Sequence, residues 1–148
     1  MKQWIFVLTC LVLFGCANIG GKIEQDKAIK FTDTHIQKII NENFTAAYLD
    51  YYPDLRSSIS FEQFKDVHEN QLEKKWGKLK NAEFKSISFG KRITLGKIFN
   101  IATLWYKAEV NKPNTFIKIE LIKKDGIFFI LGYYYINFVG NKIPREFL

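Results

Sequence analysis

Acid–base chemistry in this chain rests on few side chains. Histidine occurs twice, at His35 and His68, and Asp50 is flanked by Tyr48, Tyr51 and Tyr52. Tyr133 opens a run of three tyrosines. A carboxylate enclosed by apolar walls has its pKa raised by desolvation and can act as a general base, with a histidine or tyrosine as proton partner. Asp50, His68 and Tyr133 are therefore the candidate catalytic residues. Each also has a plain structural reading: Asp50 as a surface or capping residue, His68 as a boundary residue on an apolar helix stripe, Tyr133 as part of the core. Metal binding needs three or four ligands, and the chain has no paired histidine or cysteine spacing to supply them. No metal or other cofactor is expected.

The two cysteines, Cys10 and Cys16, both fall near the N-terminus. Lys2 is followed by an apolar run from Trp4 to Phe14. That run is shorter than the roughly 20 residues a bilayer span needs and has the length of an export signal. Its end, Leu13-Phe14-Gly15-Cys16, resembles the bacterial lipobox, with Phe14 bulkier than the usual small residue. The resemblance implies cleavage between Gly15 and Cys16 and acylation of the Cys16 thiol, whose two or three chains would hold the protein on a lipid bilayer. Ala17 in the next position implies the outer membrane rather than the inner one, facing the periplasm. An ordinary cleaved signal with a chance cysteine is the alternative.

Removing residues 1–15 leaves 133 residues, enough for one domain. Residues 16–25 read as a lipidated tether and 26–148 as a single domain. No thiol remains for a disulfide, so the core must hold the fold, and the 16% of residues that are aromatic make that feasible. The processed chain has 21 basic and 15 acidic residues, net +6, without a run of five like charges. This reads as a solvated basic surface near anionic lipid or wall polymer. Nucleic acid is not expected as a partner.

The positions that carry chemistry must be placed by helices first and strands second. Apolar spacing predicts a helix over 26–41, with Ile29, Ile36, Ile39 and Ile40 near one face. Asn43 can cap a shorter helix from Phe44 to Tyr51, ended by Pro53. Ser60-Phe61-Glu62-Gln63 is a capping box opening a third helix to Trp76, stopped by Gly77. Strands follow over 84–89, 98–110, 116–122 and 127–138, with Asp125-Gly126 as a hairpin turn. Lys91, Arg92 and Lys97 fall in the loop between the first two strands. Helices followed by an antiparallel meander predict an α+β fold, with N-terminal helices packed on a curved four-stranded antiparallel sheet.

Tyr48-Leu49-Asp50-Tyr51-Tyr52, Ser60-Phe61-Glu62-Gln63-Phe64, Trp76-Gly77-Lys78-Leu79 and Asp125-Gly126-Ile127-Phe128 through Gly132-Tyr133-Tyr134 together resemble small bacterial domains of the nuclear transport factor 2-like, cystatin-like kind. Phe128 stands where that pattern has Trp. The resemblance covers about residues 26–138 and implies a cone in which Asp50, Tyr48, Tyr51, His68 and Tyr133 meet. The fold hosts isomerases, dehydratases and binding modules alike, so it does not carry an activity.

Trp105, Tyr133, Tyr134 and Tyr135 form a candidate ligand or partner face. Strand alternation sets Tyr133 and Tyr135 on one side and Tyr134 on the other. An envelope protein or a second copy of the chain could dock on whichever side is not core. The leading expectation is a membrane-tethered, non-enzymatic binding or accessory domain. Alternatives are a small-molecule-binding or isomerase/dehydratase-type enzyme using the cone pocket, and a periplasmic immunity or inhibitor protein.

Overall fold

The computed structural model describes residues 18, 19, 21–139, 143, 144 and 147. Gly15, Cys16 and the signal segment lie outside the described residues.

Helix α1, Gln25–Ile40, is built on a face that mixes apolar and polar side chains: Ala28, Thr32, His35, Ile36 and Ile39 are buried. Ile29 and Ile40 pack beside that face rather than in it. Thr32 tolerates burial because its hydroxyl donates to the Ala28 carbonyl at 2.9 Å and lies 2.7 Å from the Tyr106 hydroxyl. Helix α2, Phe44–Leu49, starts with the Asn43 side chain accepting from the Ala46 N–H. It ends before Pro53, which does not stop it but opens a further short helix, α3, Pro53–Arg56. Proline suits that first helical position because the N–H it lacks has no partner there.

The capping box forms as the sequence predicts: the Ser60 side chain accepts from the Gln63 N–H at 3.2 Å, and Gln63 Oε1 accepts from the Ser60 N–H at 2.9 Å. Such a cap stabilises a helix by about 1 kcal/mol. It starts α4, Phe61–Asp66, which continues through a π-helical stretch, Val67–Leu72, into α5, Glu73–Trp76. The sequence has a reason for the wider turn. Phe64, His68, Leu72 and Trp76 recur every four residues, and each step of four overshoots an α-turn by about 40°. The π turn takes up that drift and keeps them directed inward. Gly77 ends the run at φ +88°.

Strands β2 (Asn81–Thr94), β3 (Lys97–Glu109), β4 (Thr115–Lys124) and β5 (Ile127–Asn137) form an antiparallel meander, so the fold is α+β. A two-residue strand, β1, Asn18–Ile19, pairs parallel with Ile98 and Phe99, and the Gly21 N–H donates to the Lys123 carbonyl at 2.8 Å. Part of the segment read as a tether is therefore built into the sheet. The expected loop holding Lys91, Arg92 and Lys97 is replaced by strand. β2 and β3 run on to a two-residue turn at Leu95-Gly96. Arg92 ion-pairs with Glu120 and donates to the Tyr134 hydroxyl at 2.9 Å, and Lys97 pairs with Asp54 at 2.8 Å.

The inner sheet face, from Ala102, Leu104 and Tyr106 on β3 to Ile117, Ile119 and Leu121 on β4, packs against α1, α2 and α4. A bulge opposite Glu120 and Leu121 leaves Leu131 as an extra residue in β5. Ile130 consequently joins the inner core while Leu131 joins Tyr52, Phe99, Ile101 and Ile122 in a second cluster on the other face. This is why β5 reads as apolar at nearly every position: it is covered on both sides along that stretch.

Candidate ligand site

Asp50 is fixed by its backbone before its side chain is considered. The Ile130 N–H donates to the Asp50 carbonyl at 2.8 Å and the Tyr52 N–H donates to the Ile130 carbonyl at 2.9 Å. Residues 50–52 thus lie along the free edge of β5. This aims the carboxylate at α1, where His35 Nδ1 sits 2.9 Å from Oδ2 and Lys38 Nζ donates to both oxygens at 2.7 and 2.8 Å.

Burial opposes the ionised form of Asp50, but the hydrogen bonds from His35 and Lys38 outweigh it and hold the carboxyl below its ordinary pKa. For His35 the balance goes the other way: burial lowers its pKa more than Asp50 raises it. The pair is therefore a carboxylate and a neutral imidazole. Because the carboxylate only accepts, the proton sits on His35 Nδ1. The raised pKa expected for Asp50 is corrected to a lowered one.

His68 lies on the π-helical stretch among Phe64, Tyr133 and Phe44, with ring centroids 4.7, 5.5 and 5.8 Å away. Burial pushes its pKa down to about 4. Burial also drives the Tyr133 hydroxyl well above its ordinary value. Neither group titrates near neutral pH, where an acid–base catalyst is most effective.

A cavity of about 230 Å³ opens between α2, the π-helical stretch and β5. Tyr48, Tyr51, His68 and Tyr133, four of the five residues expected to converge, line it together with Leu55, Phe64, Val67 and Leu72. Asp50 does not line it. Its partner His35 lies behind the two tyrosines, with ring centroids 5.7 Å from Tyr51 and 5.8 Å from Tyr133. Ile59 and Tyr134 form an exposed part of the rim. Among the described residues, two buried polar atoms at or behind this wall have no hydrogen-bond partner, Arg56 Nε and His35 Nε2, and a third, Tyr133 Oη, has only a loose contact in which its hydroxyl is directed at that of Tyr135. Buried polar atoms without partners are rare in folded proteins and commonly mark a place for water or ligand.

The four residues expected to share a ligand or partner face are divided by the sheet. Tyr133 and Tyr135 point inward, with Tyr135 against Trp76 at 5.9 Å. Trp105 and Tyr134 belong to the outer face. Trp105 is covered there by Phe147, at 4.9 Å between centroids. Tyr134 carries the Lys118 ammonium over its ring at 4.9 Å. His35 was not singled out by its sequence neighbours. Its signal is its place on the buried side of α1, one turn from Lys38.

Among the described residues no group of three His, Cys, Asp or Glu side chains is placed to hold a metal ion. No helix among them is long and apolar enough to cross a membrane. Compared with known protein families, curated proteins and solved structures, the chain matches none of them.

Proposed function

We propose that this chain is a lipid-anchored domain of the bacterial cell envelope that binds a small, largely apolar molecule. The observation that carries the binding reading is the cavity of about 230 Å³, walled by aliphatic and aromatic side chains and edged by unpartnered polar atoms. An apolar cavity of about 150 Å³ admits benzene. By that ratio this one suits an apolar body of roughly nine non-hydrogen atoms. Arg56 Nε brings a proton that has no partner, and Tyr133 Oη can turn its own from the loose contact with Tyr135, so the ligand carries a hydrogen-bond acceptor, with a carboxylate the best match.

Binding is favoured over catalysis because the titratable groups are spent or silent. Asp50 is held by two partners away from the cavity, and His68 stays neutral near pH 7. The helices-then-meander order and the pocket between the two layers support the nuclear transport factor 2-like, cystatin-like kinship as the finer description of the fold. The lipobox at Leu13–Cys16 supports export and acylation at Cys16, and Ala17 supports the outer membrane, facing the periplasm.

Calorimetric titration with phenylacetate, and with ethylbenzene as the uncharged comparison, tests the pocket. Saturable binding of phenylacetate is expected. Failure of both to bind removes the reading. Incorporation of labelled palmitate into the full chain, absent from Cys16→Ser, tests the anchor. Equal incorporation into both would contradict it.

A further inference from the structure

Two of the sheet's three hairpin connections lie at one end. β3 and β4 are antiparallel, with Ala102 opposite Leu121, so the Leu95-Gly96 and Asp125-Gly126 turns fall beside each other. The N-terminal segment arrives at the same place. Asn18 pairs with Ile98 and Gly21 with Lys123. Cys16 is two residues before Asn18 in the sequence, and two residues of chain span at most about 7 Å.

This end is apolar where a solvated hairpin end would be polar. Ile93 is 77% exposed, Ile127 58% and Leu95 43%. Leu95 is the most telling of the three. Both turns have two residues at positive φ, Leu95 at +52° with Gly96 at +67°, and Asp125 at +52° with Gly126 at +81°. Asp-Gly is what such a turn prefers, because a short polar side chain tolerates the left-handed region. Leucine there is strained, and its side chain is exposed rather than packed, so the local cost is not repaid inside the fold. Lys91 and Lys124 stand exposed beside the tips, with Asp125 in the second turn and Asp54 paired to Lys97 beside the first.

We infer that this end of the sheet is a membrane-contacting surface, in which Ile93, Leu95 and Ile127 enter the boundary between headgroups and acyl chains while the lysines meet anionic headgroups. The inference rests on the Cys16 anchor, which brings this end of the domain, and no other, against the bilayer. The sheet then stands on the membrane by its hairpins. Apolar side chains at an interface sink about 5–10 Å into it.

The test uses the full chain, made in a bacterial host with its own N-terminus and reconstituted into vesicles of phosphatidylethanolamine and phosphatidylglycerol. Ile93→Trp adds a reporter at the tip, and Lys112→Trp adds one at the opposite end of the sheet. Dibrominated lipid is expected to quench the fluorescence added at position 93 by more than about twofold and to leave that added at 112 unchanged. Protein that stays on the vesicles with position 93 unquenched overturns the contact but leaves the anchor standing. Protein that leaves the vesicles overturns the anchor itself. A blue shift at position 93 without vesicles, with a rise in sedimenting mass, assigns the surface to a second copy of the chain and overturns the membrane reading. Leu95→Asn supplies a second readout, since it should raise the thermal midpoint by relieving the turn. A lower midpoint would make Leu95 a structural residue and overturn its assigned role.

Discussion

His35 Nδ1 and Asp50 Oδ2 meet at 2.9 Å and tie the middle of α1 to the end of α2, beside the free edge of β5. Lys38 holds the same carboxylate from the next turn of α1. The charge is thus anchored where helix, helix and strand join. Asp50→Ala leaves a buried imidazole N–H without its acceptor and should cost about 3 kcal/mol in urea unfolding. Lys38→Met leaves the His35 bond in place and should cost about 1 kcal/mol. An equal loss in the two variants would contradict the assignment.

Acid should weaken the fold earlier than carboxylate titration alone predicts. His68 is pushed down to about 4 in the folded chain, and its ordinary value is 6.5. The unfolded chain therefore takes up a proton first. Stability is unaffected above about pH 6.5 and falls as pH drops from there to about 4, by about 3 kcal/mol for this group. His35, also lowered, acts in the same direction. Urea unfolding across that range should show the loss, and His68→Phe should remove the His68 share of the slope.

Gly77 sits at φ +88°, and a Cβ placed there would come within 2.5 Å of the Asn111 side chain. Two penalties coincide, backbone strain and a close approach to the β3–β4 connection. Gly77→Ala should lower stability by about 1–3 kcal/mol. Gly96→Ala, where a Cβ meets nothing within 4 Å, isolates the backbone share and should cost less.

Phe147 closes an aromatic group with Trp105 and Phe116 on the outer sheet face, at 4.9 and 5.4 Å between centroids. Phe147→Ala should cost about 2 kcal/mol and expose Trp105, read as a red shift and stronger acrylamide quenching. An unchanged spectrum would show that this ring does not shield the sheet.

Local signals in the sequence reported local structure well. Ser60 to Gln63, Gly77 and Asp125-Gly126 each mark a geometry set within a few residues, and each forms as predicted. The Leu95-Gly96 turn carries no such signal, because leucine is the wrong residue for its conformation, and the two strands beside it run longer than their sequence pattern indicates. Asp50 was legible as a residue of interest but not in its charge state. The state depends on His35 and Lys38, 15 and 12 residues away, brought to it by the packing of α1 on α2. The division of Tyr134 from Tyr133 and Tyr135 followed from strand alternation, while the placing of Trp105 on the Tyr134 side and its covering by Phe147 needed the strand register and the tertiary fold.

Binding of a small apolar acid in the cavity beside Tyr133, as proposed, can be read from an amide NMR titration of the full chain with phenylacetate. Saturable shifts concentrated at Val67, His68, Leu131 and Gly132 are expected, with about tenfold weaker binding in Tyr133→Phe and no binding in Val67→Trp, which fills the space. Shifts that do not saturate, or that persist unchanged in Val67→Trp, would contradict it.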